Sequence, residues 1–141
     1  MLLGNLISEL NAQIYGNIET EITGLSYDSR TVRKGFVFFA FKGIHADGAS
    51  FAHEAAAKGA ACVVSENKID NLGCTNAVVK DINEAMSKMS SKFYDYPDKK
   101  MTIIGVTGTN GKTSITYMTE SLFKSMGIQI IKYMTADSGP L

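Results

Sequence analysis

Phe36-Val37-Phe38-Phe39-Ala40-Phe41 is an unbroken apolar run, mostly aromatic. A run this short and this aromatic favours a buried strand over a helix. Arg33-Lys34-Gly35 before it reads as a turn, and residues 18–27 alternate loosely as one or two strands. Further back, Leu3, Leu6, Ile7 and Leu10 recur at helical spacing, so a short amphipathic helix opens the chain and Gly16-Asn17 breaks it. After the run, residues 42–50 form a loop with Gly43, Asp47 and Gly48 as turn formers. Ser50 is placed to cap a helix running to Lys58, and Gly59 suits its end. Residues 60–65 and 77–79 are two more apolar strands. Asp81 and Glu84 stand at capping-box spacing before a helix with Ile82, Met86, Met89 and Phe93 on one face. Strands alternating with helices predict an α/β sandwich with a largely parallel sheet.

The totals agree with that architecture. The chain has 141 residues, 45% hydrophobic and 20% charged, enough for a packed core and too apolar for wholesale disorder. Fourteen basic residues balance fourteen acidic ones, which leaves no electrostatic footprint for nucleic acid or a membrane surface. Two cysteines are too few for a disulfide framework, and Cys62 lies inside an apolar run, where a buried, inert thiol is expected. No signal peptide is recognisable, and no apolar stretch nears the roughly 18 residues of a membrane span. The expectation is a soluble, cytoplasmic protein. There is no internal repeat, and oligomeric state leaves no mark in the sequence.

Tyr96-Pro97-Asp98-Lys99-Lys100 is polar and ends the alternation, so a domain boundary is expected there, dividing residues 1–97 from 98–141. A new unit then begins with a strand at 101–106, a loop at 107–111 and a helix at 112–126. Ile115, Met118, Leu122 and Met126 fall on one face of that helix. The loop reads Gly108-Thr109-Asn110-Gly111-Lys112-Thr113-Ser114. A hydrophobic strand, a glycine-rich loop and an amphipathic helix are the setting of a phosphate-binding loop. Backbone N–H groups at a helix start hold polyphosphate without desolvating many side chains, and glycines let the backbone close around it. Lys112 reaches the β and γ phosphates, and the Thr113 hydroxyl is a ligand for Mg2+. The general pattern has a glycine where this chain has Val106, and its glycines stand at 105, 108 and 111 instead. Gly-Lys-Thr alone is common by chance; the whole run in this setting is not.

Gly-Thr-Asn-Gly-Lys-Thr in this setting resembles the ATP loop of the Mur ligases, which add amino acids to the peptidoglycan precursor. Two further segments resemble the same family. One is Ile22-Thr23-Gly24-Leu25-Ser26-Tyr27-Asp28-Ser29-Arg30, followed by Val32, Gly35 and the aromatic run. The other is Phe41-Lys42-Gly43-Ile44-His45-Ala46-Asp47-Gly48, followed by Phe51, Ala55 and Gly59-Ala60. Both look like the UDP-binding domain of the family members that add the third residue or the final dipeptide. Order and spacing agree over about residues 20–127. Thr109-Asn110 favours the third-residue branch.

The resemblance implies a Rossmann-like UDP-binding α/β domain followed by the first strand, phosphate loop and helix of an ATP-binding α/β domain. It implies that Tyr27, Ser29, Ile44, His45 and Ala46 lie against the UDP-sugar. Gly108, Thr109, Asn110, Gly111, Lys112, Thr113 and Ser114 would hold ATP, with Lys112 catalytic and Thr113 on Mg2+. Other readings stand beside these. Asp28 and Arg30 read equally as a pair that caps a turn, His45 as a solvated loop residue, and His53 as structural or solvated. The phenylalanines read as core. No histidine or cysteine has zinc-site spacing.

The implied reaction is ATP-driven amide formation. The D-glutamate carboxylate of UDP-MurNAc-L-Ala-D-Glu becomes an acyl phosphate, and meso-diaminopimelate or L-lysine displaces the phosphate. The partners are then a UDP-MurNAc-peptide and an amino acid. The 131–141 segment departs from the family's usual continuation, and the family's remaining domains are not recognisable, so the isolated chain is expected to be inactive. The alternatives are a dipeptide-adding Mur ligase, a folylpolyglutamate synthase, a non-catalytic UDP- or ATP-binding module, and an unrelated phosphate-loop NTPase.

Overall fold

The computed structural model describes residues 1–42 and 48–133. The chain divides into two compact units, residues 1–101 and 102–141. Unit one opens with α1 (Leu3–Ile7) and the strands β1 (Ala12–Tyr15), β2 (Gly24–Ser26) and β3 (Phe36–Phe39). It continues with α2 (Gly48–Ala57), β4 (Cys62–Ser65), β5 (Thr75–Val79) and α3 (Ile82–Phe93). A single 3-10 turn, Pro97–Lys99, follows. The five strands form one sheet in the order β1-β5-β4-β3-β2. β2, β3, β4 and β5 are parallel neighbours, while β1 is antiparallel to β5.

The aromatic run is apolar throughout because β3 is covered on both faces. Successive side chains of a strand point to opposite faces. Val37 and Phe39 join one cluster with Cys62, Val64, Leu3, Leu6, Ile82 and Met89. Phe38 and Ala40 join the other with Val63, Ala52 and Ala55. One face is therefore covered by α1 and α3, the other by α2. Each large side chain fully buried here, such as Phe39 or Met89, is worth about 1.5–3 kcal/mol of transfer free energy.

Local chemistry sets the element ends. Asp81 caps α3, its Oδ1 accepting from the N–H groups of Asn83 at 2.8 Å and Glu84 at 3.1 Å. Glu84 pairs with Lys88 on the next turn. At the end of α2, Gly59 adopts φ +91°, a left-handed conformation that suits glycine. Its N–H donates to Ala56 O, and that of Ala60 to Ala55 O, which closes the helix.

Three expectations need correction. Ser50 is not an N-cap: α2 already includes Gly48, and Ser50 lies in its first turn. The opening helix does not reach Leu10 or run on to Gly16-Asn17: α1 ends at Ile7, and Ala12–Tyr15 instead form β1, a four-residue edge strand whose hydrogen bonds come from β5. The expected strand at 101–106 has no ladder partner among the described residues and is irregular. Its composition suits a strand, but a strand exists only through a neighbour's hydrogen bonds.

Unit two contains α4 (Lys112–Ser125). None of its residues is buried, and Ile115, Met118, Leu122 and Met126 are half exposed or more. Residues 128–133 return along the helix, where Lys132 pairs with Glu120 and stands 3.4 Å over the Tyr117 ring.

Candidate functional site

In unit one a cleft of about 680 Å3 opens beside the parallel strands β2 and β3. Tyr27, Phe38, Phe41 and Phe51 give it aromatic walls, and Asp28, Ser29, Arg30 and Glu54 supply its polar groups. The turn after β2 positions the Asp-Ser-Arg element. Asp28 Oδ1 accepts from its neighbour-but-one, the Arg30 backbone N–H, at 2.9 Å. Arg30 Nε and Nη2 also donate to the Asp28 carboxylate, the latter at 2.7 Å. This pairing, side chain first and backbone second, lowers the Asp28 carboxyl to about 2. Asp28 and Arg30 thus form a mutual pair that caps the turn. The pair is largely solvated, so its own contribution to stability is small.

Ser29 is 6% exposed and held from two sides. Its Oγ donates to Glu54 Oε2 at 3.0 Å. Its carbonyl oxygen accepts from Lys58 Nζ at 2.9 Å, and the same ammonium pairs with Glu54 Oε1 at 2.6 Å. The Glu54 carboxyl is held below its ordinary range by Lys58 first and by Ser29 second. Glu54 and Lys58 were not singled out in the sequence. They form an i,i+4 Glu-to-Lys pair, which by pattern alone reads as a solvated helix face. Tyr27 is at the cleft and exposed. Ile44, His45 and Ala46 lie outside the described residues.

In unit two the loop before α4 ends on Gly111, at φ +77°, and carries Gly108 at φ +146°. A Cβ at Gly111 would meet nothing within 4 Å, so the glycine serves the backbone angle and not a close contact. Lys112 bends back over the loop, its Nζ donating to Gly108 O at 2.7 Å. Thr113 and Ser114 are exposed in the first turn of α4, and Thr116 Oγ1 donates to Lys112 O. The arrangement offers an exposed helix N-terminus, a lysine ammonium and two hydroxyls to an anion. Among the described residues no group of three or more His, Cys, Asp or Glu could hold a metal. A divalent cation here would take the Thr113 hydroxyl together with oxygens of its own ligand and water.

A family model described as the catalytic domain of the Mur ligase family matches residues 21–101. The chain belongs to the Mur ligase family. The UDP-N-acetylmuramoyl-L-alanyl-D-glutamate–2,6-diaminopimelate ligase of Caldanaerobacter subterraneus is 39% identical over 131 residues, which is 92% of this chain and 27% of that protein. The ligase of the same name from Bacillus velezensis is 41% identical over 131 residues, 92% of this chain and 26% of its own length. A solved MurF ligase from Thermotoga maritima, in complex with ADP, is 30% identical with a TM-score of 0.57. That likeness covers 75% of this chain and 24% of the solved one. The chain thus spans about a quarter of the length of the Mur ligases it matches.

The Rossmann-like α/β class and the third-residue branch read from Thr109-Asn110 agree with these Mur ligase relatives. The matched span lies within unit one and includes Tyr27, Ser29, Glu54 and Lys58. No helix among the described residues is long and apolar enough to cross a membrane.

Proposed function

We propose that the chain is the nucleotide-handling portion of a cytoplasmic, ATP-dependent amide ligase of peptidoglycan precursor synthesis. The cleft beside Ser29 takes the UDP end of UDP-MurNAc-L-Ala-D-Glu, with Tyr27 and the Ile44-His45-Ala46 segment against the UDP-sugar. The loop from Gly108 to Ser114 takes the phosphates of ATP. What supports the reading most is the Lys112 ammonium folded over the Gly108–Gly111 turn at the head of α4. It belongs to a chain 39% identical to a diaminopimelate-adding ligase.

Bound Mg2+–ATP would supply the phosphoryl group that activates the D-glutamate carboxylate as an acyl phosphate, so that the amine of diaminopimelate or lysine bonds to the acyl carbon and inorganic phosphate leaves. The chain's residues bind and orient. The N–H groups at the start of α4 and the Lys112 ammonium neutralise charge on the phosphates as it shifts toward the leaving group. Thr113 offers its hydroxyl to the cation. The Ser29 cleft, by gripping a part of the substrate that does not react, uses remote binding energy to place the carboxylate.

Calorimetric titration with the two nucleotides tests this. Lys112→Ala weakens Mg2+–ATP binding by roughly tenfold or more, as expected when a charged hydrogen bond is lost, and leaves UDP-MurNAc-dipeptide affinity unchanged. Ser29→Ala weakens UDP-MurNAc-dipeptide binding by roughly five- to tenfold and leaves Mg2+–ATP affinity unchanged. Equal effects of either variant on both ligands, or none on either, would contradict the assignment.

A further inference from the structure

The Ser29 hydroxyl has one hydrogen to donate, and the structure commits it. Glu54 is acceptor-only when ionised, so the 3.0 Å contact between Ser29 Oγ and Glu54 Oε2 uses that hydrogen. Lys58 fixes the arrangement by donating both to Glu54 Oε1 and to the Ser29 carbonyl. Only the lone pairs of Ser29 Oγ remain for the cleft. A phosphate oxygen approaching them would meet lone pair against lone pair, with the Glu54 carboxylate directly behind. Arg30, the only cation lining the cleft among the described residues, is already engaged by Asp28. The neighbouring walls are aromatic. Donor-accepting floor and aromatic walls suit a neutral, N–H- or O–H-bearing group better than a diphosphate.

We propose that Glu54 is a positioning residue of this cleft: it holds the Ser29 hydrogen and so presents Ser29 Oγ as an acceptor to an N–H or O–H of the uridine half of the ligand. The inference rests on the reading of the cleft as a UDP site. It refines the expectation from sequence, which places Ser29 against the UDP-sugar without assigning its hydrogen-bonding role. Glu54 acts only through Ser29, with Lys58 as its brace.

The test is a double-mutant cycle on the full 141-residue chain, with UDP and UDP-MurNAc-dipeptide as titrants and thermal unfolding followed alongside. Ser29→Ala and Glu54→Ala each weaken UDP binding by roughly five- to tenfold, the worth of one hydrogen bond. The double variant is no weaker than either single one, because both lose the same interaction. Glu54→Gln, which keeps an acceptor oxygen, restores affinity to within about threefold. The ratios are the same for UDP and for the peptide-bearing compound. A merely structural Glu54 would lower the unfolding temperature of Glu54→Ala and leave the affinity of the folded protein unchanged, which would overturn the proposal. Losses that multiply in the double variant, or appear only with the peptide-bearing compound, would overturn it too. Absence of UDP binding by the wild-type chain would remove the UDP reading itself along with the inference.

Discussion

At the scale of single residues, unit one uses its charges locally. Asp28 serves its own turn and Arg30, Glu54 serves Ser29 and Lys58, and Asn76 serves the sheet. The Asn76 side chain is buried, yet it accepts from Ile69 N–H and donates to Val63 O and Ser65 Oγ, so burial leaves it satisfied. Burial first, and the neighbouring Cys74 second, push the Cys62 thiol up to about 12, in keeping with an inert cysteine in an apolar run. Asp28 offers a pH test with a definite sign. Its folded-state value, about 2, lies below the 3.8 of a free aspartate. The small stabilisation from its pairing is therefore complete above about pH 4 and is lost as pH falls through about 2. A carboxyl titration by NMR should give a midpoint near 2, returning toward the ordinary value in Arg30→Ala. An unshifted midpoint in the wild type would remove Arg30 as its partner.

At the scale of elements, legibility followed the physics. β3 and β4 were plain because a strand covered on both faces must be apolar at every position, and α3 because its cap and its apolar face coincide. β1 was hidden because an edge strand of four residues, half-buried at alternate positions, takes its identity from β5 and not from its own composition. The converse holds at residues 101–106, where strand-like composition has no described neighbour to pair with. Glu54 and Lys58 carry no sequence signal of their own because their role depends on where α2 lies across from the β2 turn, which no local pattern records. α4 leaves its apolar face exposed, in contrast to α3. Its amides should therefore exchange with solvent much faster than those of β3 and β4. Hydrogen exchange read by mass spectrometry on the monomer checks this; protection over residues 112–125 as high as over 62–65 would mean that α4 is anchored.

At the scale of the whole molecule, the two units carry two different kinds of polar site. The cleft of unit one pairs its charges internally and offers acceptors between aromatic walls. The loop of unit two offers an ammonium, hydroxyls and a helix N-terminus. The candidate phosphate loop stands out in the sequence because glycine spacing and lysine are local signals. Of the residues lining the cleft of unit one, Tyr27 and Ser29 are site candidates from sequence, while Phe38 and Phe41 read there as core and Glu54 is contributed by α2. The central claim is that one chain binds a uridine nucleotide and ATP at separate places. Backbone amide shifts of the 15N-labelled chain test it most directly. UDP should move the signals of Tyr27, Ser29, Arg30 and Glu54 while leaving residues 108–114 in place, and Mg2+–ATP should do the opposite. Shifts from both nucleotides confined to the same residues, or a UDP response limited to the loop before α4, would contradict the account.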